Sequence, residues 1–295
     1  MELWVFITFA AAAIQTVRLM LQKRLKGAGL STGGATFSRF LFAAPLAIGL
    51  AAVLTWDTGL PEMSPTFWIW ALAGGLMQIL GTFCTVALFS ERNFGVGIAF
   101  TKTETVQVVV FSMIFLGEAV APLGLAAILL GMAGVVLLSL PPKGLRGGLF
   151  NKAMALGLLA GAGFGLSAIG YRAAAVTLGD MHFVARATVT LAAVTSLQTI
   201  VMTLWLRVRE PGQLTLVAQS WKATAPVGLT GMLGSLGWFT AFTLQNAAYV
   251  RALGQVELVF GFIASVLFFR ERVTARELAG AILLMVSLPI LILSA

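Results

Sequence analysis

The sequence predicts an all-α membrane protein with ten transmembrane helices, arranged as two inverted five-helix repeats. Three observations predict this fold class: the composition, the spacing of apolar runs, and a match between the two halves of the chain. Of the 295 residues, 59% are hydrophobic and only 10% are charged. Because soluble domains carry about 25% charged residues, the composition excludes an ordinary soluble protein.

Ten apolar runs follow one another, each close to the ~20 residues that an α-helix needs to cross the hydrocarbon core of a bilayer. The predicted spans cover residues 3–21, 35–55, 65–89, 94–116, 121–140, 153–175, 182–206, 221–243, 247–269 and 275–294. Short connections remain between them, so we expect no separate catalytic or nucleic-acid-binding domain. The first run lacks the basic leader and cleavage site of a secretory signal peptide and is expected to remain as the first helix.

The basic residues predict the orientation of these helices. Connections after odd-numbered helices, with their flanks, hold 14 of the 19 Lys and Arg residues: Arg18, Lys23, Arg24, Lys26, Arg92, Lys143, Arg146, Lys152, Arg207, Arg209, Lys222, Arg270, Arg272 and Arg276. Connections after even-numbered helices hold none. Positively charged loops stay in the cytoplasm during insertion, so we expect the odd-numbered loops inside and both termini outside. The net charge of +8 is then a topology signal and indicates no nucleic-acid partner.

The two halves of the chain share a pattern of polar and small residues. Residues 91–118 match residues 243–271, and four pairs of identical residues are each separated by 153 positions: Asn93 and Asn246, Ala99 and Ala252, Glu104 and Glu257, Glu118 and Glu271. We therefore expect two repeats, at 1–140 and 148–295. Since five is an odd number of helices, the second repeat enters the membrane from the opposite side. Inverted repeats place a binding site near the membrane midplane, where the halves meet.

Two paired motifs carry a family resemblance. The helix-end triplet LGE (116–118) is matched by FRE (269–271), and GLAAILLGMAGVVLLS is matched by ELAGAILLMVSLPILILS. With the five-plus-five arrangement, they resemble the bacterial ten-helix members of the drug/metabolite transporter superfamily with two EamA-type repeats. Among these, the sequence is most similar to exporters of aromatic amino acids. The resemblance covers essentially the whole chain and implies metabolite export by alternating access, but its motifs do not specify a substrate.

Charged residues inside the predicted spans are candidates for a solute pathway. Glu104 and Glu257 fall near the middle of the fourth and ninth spans, where a charge costs about 2.5–3.5 kcal/mol and normally faces protein or water. Each glutamate could pair with a cation on a neighbouring helix and lock the repeats, or face a polar cavity and contact a solute or a proton. The candidate cations are Lys102, Arg251, Arg39 and Arg186. Because residues two apart point to different helix faces, we expect Lys102 or Glu104 to look away from the cavity.

Neutral polar and aromatic side chains complete the predicted site. The predicted substrate-binding residues are Gln15, Gln78, Thr82, Phe100, Thr101, Glu104, Phe164, Ser167, Trp238 and Glu257. Hydrogen bonding between helices is the structural alternative for the hydroxyl groups. Aromatic rings, Trp238 first, could instead stack on a flat solute. Gly157, Gly161 and Gly165 form a ridge that permits close helix approach.

The leading functional hypothesis is a secondary transporter that exports aromatic or other neutral amino acids. Proton-coupled efflux of drugs or toxic cations is the alternative within the superfamily, and a channel or an intramembrane enzyme is the alternative from another class. The single Cys84 and the single His182 can form neither a disulfide nor a typical metal cluster, and no catalytic residue or cofactor is expected. The expected partners are a small-molecule substrate and the bilayer of the cell inner membrane. Two fused repeats are compatible with a functional monomer.

Overall fold

The computed structural model describes residues 2–27, 29–88, 100–139, 152–260 and 274–295. Regular structure within these ranges is helical. Twelve helices are delimited there: α1 (Leu3–Gly27), α2 (Thr32–Leu41), α3 (Ala43–Leu54), α4 (Pro65–Leu88), α5 (Glu104–Leu116), α6 (Pro122–Ser139), α7 (Lys152–Val176), α8 (Phe183–Arg209), α9 (Gln213–Gln219), α10 (Trp221–Leu244), α11 (Ala247–Gly254) and α12 (Ala275–Ser294). The all-helical fold class is thereby confirmed for the described part of the chain.

Seven helical segments in the described ranges are long and apolar enough to cross a membrane. They are Leu3–Gln22, Thr32–Leu54, Pro65–Leu88, Lys152–Val176, Phe183–Arg209, Trp221–Leu244 and Ala275–Ser294. These seven coincide with seven of the predicted spans. The fourth, fifth and ninth spans correspond to shorter described helices, α5, α6 and α11, and residues 94–99, 140 and 261–269 of these spans lie outside the described part. The count of ten spans stays a prediction.

The second predicted span is not one continuous helix, because α2 ends at Leu41 and α3 begins at Ala43. The cause lies in the sequence. Pro45 has no N–H, and its ring clashes with the carbonyl group four residues earlier, which belongs to Leu41. The other end of α2 is fixed by Ser31, whose hydroxyl oxygen accepts a hydrogen bond from the Gly34 N–H at 2.9 Å. The short α2 carries Arg39 into the interior.

The helices before residue 140 pack mainly against helices after residue 152. The pair α4 and α7 has the most extensive contact, followed by α6 with α12 and α1 with α10, and α3 likewise packs on α8 and α5 on α11. In repeat order these are helices three with six, five with ten, one with eight, two with seven and four with nine. If each helix is replaced by its equivalent in the other repeat, the same five pairs result. Such a set is what a two-fold relation between the halves produces.

Glycines allow the closest of these contacts. A Cβ atom on Gly134 of α6 would lie 2.7 Å from the carbonyl oxygen of Gly280 in α12, so the two backbones touch. On α7, a Cβ atom at Gly161 would lie 3.0 Å from the carbonyl oxygen of Thr101, and one at Gly165 would lie 3.0 Å from Val108. The close approach predicted for these two ridge glycines is confirmed. The two glycines allow α5 and the residues just before it to pack closely against α7.

Three members of the four repeat-matched residue pairs, Asn93, Ala99 and Glu271, lie outside the described residues, as do five of the basic residues used to predict orientation. The structure therefore places only Glu104 and Glu257 as a complete matched pair. Cys84 is a buried free thiol in α4, as expected. His182 is exposed and caps α8, where its Nδ1 accepts a hydrogen bond from the Val184 N–H at 3.4 Å.

Candidate functional site

The chain segments that carry the two glutamates are interrupted at matching positions. A turn at Lys102 precedes α5, and a turn at Gln255 follows α11; both lie two residues before the glutamate of their repeat. At each turn the backbone forms hydrogen bonds between residues three apart, from the Thr105 N–H to the Lys102 carbonyl at 3.3 Å and from the Leu258 N–H to the Gln255 carbonyl at 3.0 Å. Interrupted helices of this kind form binding sites at the midplane of transporters built from inverted repeats.

Both glutamates form ion pairs with the opposite half of the chain. Arg251 Nε lies 2.9 Å from Glu104 Oε1, and Lys102 Nζ contacts Glu257 Oε1. All four side chains are between 9% and 13% exposed. Glu257 also accepts a hydrogen bond at 3.0 Å from the Gln15 Nε2 amide. The two halves are thus joined by two reciprocal, largely buried charge pairs.

Aromatic rings surround the Arg251 guanidinium group. Its central carbon lies 4.9 Å from the centroid of the Trp238 ring and 5.1 Å from that of Phe242, within the range of a cation–π contact. Trp238 Nε1 donates a hydrogen bond of 3.0 Å to Gln15 Oε1. Because the same Gln15 donates to Glu257, the aromatic rings and both ion pairs form one connected network.

These groups line a cavity of about 280 Å³ between the two halves. Small-molecule pockets typically measure about 300–1,000 Å³, so this cavity suits a solute of metabolite size. Its described lining comprises Gln15, Thr16, Arg18, Leu19, Met20, Arg39, Gln78, Thr85, Thr101, Lys102, Glu104, Phe164, Tyr171, Trp238, Phe239, Phe242, Arg251, Glu257 and Leu258. One part of the wall is aromatic: Tyr171 stacks on Phe239 with ring centroids 4.1 Å apart.

The cavity brings together seven of the ten predicted site residues: Gln15, Gln78, Thr101, Glu104, Phe164, Trp238 and Glu257. Three do not line it. Thr82 accepts a hydrogen bond from Arg39, the Ser167 hydroxyl donates to the Phe164 carbonyl at 2.8 Å, and the Phe100 carbonyl accepts from the Thr103 N–H at 3.2 Å. Thr82 and Ser167 are buried and have these structural contacts. A role of the other seven in binding substrate stays a prediction.

The sequence left two alternatives for the glutamates, an ion pair with a neighbouring helix or a position facing a cavity. Both hold at once, because Glu104 and Glu257 line the cavity and each pairs with a cation of the opposite half. The expectation that Lys102 or Glu104 would look away from the cavity is wrong, since both line it. The reason is that each side chain has its own partner in the second half at the cavity: Lys102 contacts Glu257, and Glu104 lies beside Arg251.

Arg18 is the charged residue of the described lining that sequence reasoning missed, and Phe239 and Phe242 are the aromatic ones. Arg18 was assigned to a loop flank, but α1 continues to Gly27 and holds Arg18 against the cavity with 3% of its surface exposed. The spacing of Gln15, Arg18 and Gln22 puts three polar residues on one helical face, which is the signal that could have identified it. Among the candidate cations, Arg39 lines the cavity, whereas Arg186 does not and donates to the Gly179 carbonyl at 3.2 Å.

A charged and aromatic cavity between two packed halves of an apolar helical bundle is typical of a membrane transporter. The model of the EamA-like transporter family matches the chain twice, at residues 2–140 and 151–293. The chain belongs to the EamA-like transporter family, in the drug/metabolite transporter superfamily, and is a multi-pass membrane protein. This is a family of transporters and not of enzymes.

A solved crystal structure is similar to this chain over its whole length. The alignment covers 99% of this chain and 97% of the other, with a TM-score of 0.73 and 16% sequence identity. At that identity the similarity shows the fold alone. Among the curated proteins compared with the sequence, none matches it.

Proposed function

We propose that the protein is a secondary transporter that exports small amphipathic metabolites by alternating access around the cavity. The observation that carries the proposal is the cavity itself, which combines charged groups with an aromatic wall at the junction of the two halves. Binding sites for small molecules have this composition, with apolar walls that hold the body of the ligand and a few polar groups that orient it.

Flat aromatic solutes with a carboxylate fit this lining best. Stacking on rings such as Trp238 or the Tyr171–Phe239 pair contributes about 0.5–1.5 kcal/mol beyond area burial. Cations in the wall can bind the carboxylate through charge-assisted hydrogen bonds. Aromatic amino acids and related aromatic acids are therefore the first solutes to test.

Two groups of contacts support alternating access because each joins the halves near one end of the helices. Arg172 donates from Nε to Glu118 at 2.7 and 2.8 Å, and from NH1 to the Phe242 carbonyl at 2.7 Å. The Ser31 hydroxyl donates to Glu210, and the Ser31 N–H donates to Gln213 at 3.0 Å. With odd-numbered loops in the cytoplasm, the first group closes the outer side and the second closes the inner side.

Efflux of toxic cations is less well supported by the geometry. A cationic solute would need a carboxylate that is free to receive it, as a mid-membrane glutamate would be. In the described part of the cavity, both carboxylates are engaged by Lys102 and Arg251. A cationic solute would have to share one of these carboxylates with Lys102 or Arg251.

Counterflow in proteoliposomes tests the proposal. Vesicles containing the purified protein are loaded with an unlabelled aromatic solute and assayed for uptake of its labelled form, for a panel of aromatic amino acids and aromatic acids. At least one solute is expected to exchange, Trp238→Ala is expected to lower exchange at least about tenfold, and Arg207→Gln, which changes an exposed residue, is expected to leave it unchanged. Absence of exchange across the panel with folded protein would refute the proposal, and conductance at ion rates would indicate a channel.

A further inference from the structure

The described lining of the cavity carries an excess of positive charge. Its six charged side chains are four cations and two carboxylates, a formal balance of +2: Arg18, Arg39, Lys102, Arg251, Glu104 and Glu257. Two of the cations form the ion pairs with the glutamates. The excess therefore belongs to the other two, Arg18 and Arg39.

Arg18 and Arg39 meet over a single glycine. They come from different helices, α1 and α2, and are 3% and 4% exposed. A Cβ atom on Gly231 of α10 would lie 3.2 Å from Arg39 Cγ and 3.6 Å from Arg18 Cδ. The absence of a side chain at Gly231 thus lets both arginine stems pass over the same point of α10 and brings two like charges together at the cavity wall.

The partners of both guanidinium groups are neutral. Arg18 NH1 donates to Gln22 at 2.6 Å, and Arg39 donates from NH1 to Thr82 at 3.0 Å and from NH2 to Ser235 at 3.4 Å. Neither arginine forms an ion pair with a carboxylate of the described residues. Since a guanidinium group has five N–H donors, these contacts leave donors of both residues for a ligand. Two buried like charges with no carboxylate at ion-pair distance are costly, and an anion between them would offset that cost.

We propose that Arg18 and Arg39 form an anion subsite and that the substrates are organic anions with an aromatic body. This inference rests on the proposed transport function and assigns the substrate class. A carboxylate or phosphate group accepts hydrogen bonds from the two planar guanidinium groups, which match the geometry of both oxyanions. The aromatic body of the same solute lies against the rings that line the cavity.

The charge balance separates this class from zwitterions and cations. The ammonium group of an amino acid would need an acceptor, and each of the two carboxylates, Glu104 and Glu257, already pairs with a cation. The ammonium group would therefore share a carboxylate with a cation of the protein. Transfer of that ammonium group from water into the positive cavity would offset what the carboxylate gains. An aromatic anion without an ammonium group has no such cost.

Calorimetric titration of the purified full-length protein in detergent tests this with three solutes of one skeleton. These are 3-phenylpropionate, which is an anion, phenylalanine, which is a zwitterion, and phenethylamine, which is a cation; phenyl phosphate is the fourth titrant. We expect 3-phenylpropionate or phenyl phosphate to bind at least about tenfold more tightly than phenylalanine, and phenethylamine to bind most weakly. The two anions distinguish a carboxylate site from a phosphate-ester site, and tight binding of either supports the subsite.

Variants of the two arginines identify the subsite. Arg18→Gln and Arg39→Gln are each expected to weaken anion binding at least about tenfold, while Arg39→Lys, which keeps the charge but not the planar fork, has an intermediate effect. Arg207→Gln is the matched control for loss of one exposed positive charge. Size-exclusion profiles and melting temperatures report folding, and if Arg39→Gln does not fold, the Arg18→Gln and Arg39→Lys variants decide.

The outcomes separate the subsite from the transport function. Equal or tighter binding of phenylalanine or phenethylamine, no binding of any of the four solutes, or unchanged anion affinity in the folded arginine variants would overturn the assignment. Anions that bind through the arginines but do not exchange in proteoliposomes would support the subsite and refute the transport proposal. Exchange of phenylalanine alone would support transport and overturn the anion class.

Discussion

The ion pair between Glu104 and Arg251 permits a quantitative test of how the two halves are held together. Removing one member of a buried pair costs about 3–5 kcal/mol because the other charge is left uncompensated. Arg251→Gln also removes the cation–π contacts with Trp238 and Phe242, each worth about 0.5–2 kcal/mol. We therefore expect Glu104→Gln to lower the free energy of unfolding by about 3 kcal/mol, and Arg251→Gln to lower it by about 1–4 kcal/mol more.

The double variant Glu104→Gln/Arg251→Gln leaves no uncompensated charge from this pair. Its loss of stability is expected to be smaller than the sum of the single losses by at least about 1.5 kcal/mol, within the range of coupling energies for contacting residues. The assay is reversible unfolding of the purified protein in mixed detergent micelles. The pair Glu62→Gln and Arg207→Gln, both at exposed positions, serves as the control and should be additive. Additive losses for Glu104 and Arg251 would refute the interpretation that their ion pair couples the halves.

Three further predictions concern packing, closure and orientation. Gly134→Ala places a Cβ atom 2.7 Å from a backbone oxygen of α12. The overpacking is expected to reduce the free energy of unfolding by about 1–3 kcal/mol and to lower the melting temperature. Gly49→Ala in α3, where a Cβ atom meets nothing within 4 Å, is the control and should not lower the melting temperature. Arg172→Gln removes charge-assisted bonds to the loop after α5 and to α10, so maleimide labelling of single cysteines in the cavity wall should become faster from outside than in the parent. In a cysteine-free background, Glu62→Cys should react with an impermeant maleimide in intact cells and Lys143→Cys should not; labelling of the latter from outside would refute the loop orientation.

The sequence was sufficient to identify the two glutamates of the site but not their partners. The constant separation of 153 residues identified Glu104 and Glu257 as equivalents, and the structure places both in one cavity. Which cation pairs with each glutamate depends on helix rotation and on contacts between the repeats, and neither leaves a periodic signal in the sequence. Arg39 and Arg251 were for this reason equivalent candidates until the fold separated them.

Misassignments occurred where the backbone departs from a regular helix or where polar residues extend an apolar one. The interruption at Lys102 has no Pro or Gly at that position to indicate it, and both Lys102 and Glu104 line the cavity. Arg18 lies near the end of the first predicted span, followed only by Leu19, Met20 and Leu21, and a basic residue at such a position is typical of a loop flank. A hydropathy pattern locates where an apolar segment ends, whereas the helix α1 continues beyond it to Gly27.

The fold is built on a repeat, but the charges of the cavity do not follow it. The repeat equivalent of Lys102 is Gln255, and that of Arg251 is Ile98, so the two ion pairs use cations from non-equivalent positions. Arg18 and Arg39 both belong to the first half, and Arg186, the candidate cation from the seventh predicted span, does not line the cavity. The positive excess is therefore concentrated on one side of the junction between the halves. A solute bound there would be oriented, with its anionic end toward α1 and α2, even though the scaffold around it is nearly two-fold. Specificity in this protein should accordingly change with substitutions in α1 and α2 more than with substitutions at the matching positions of the second half.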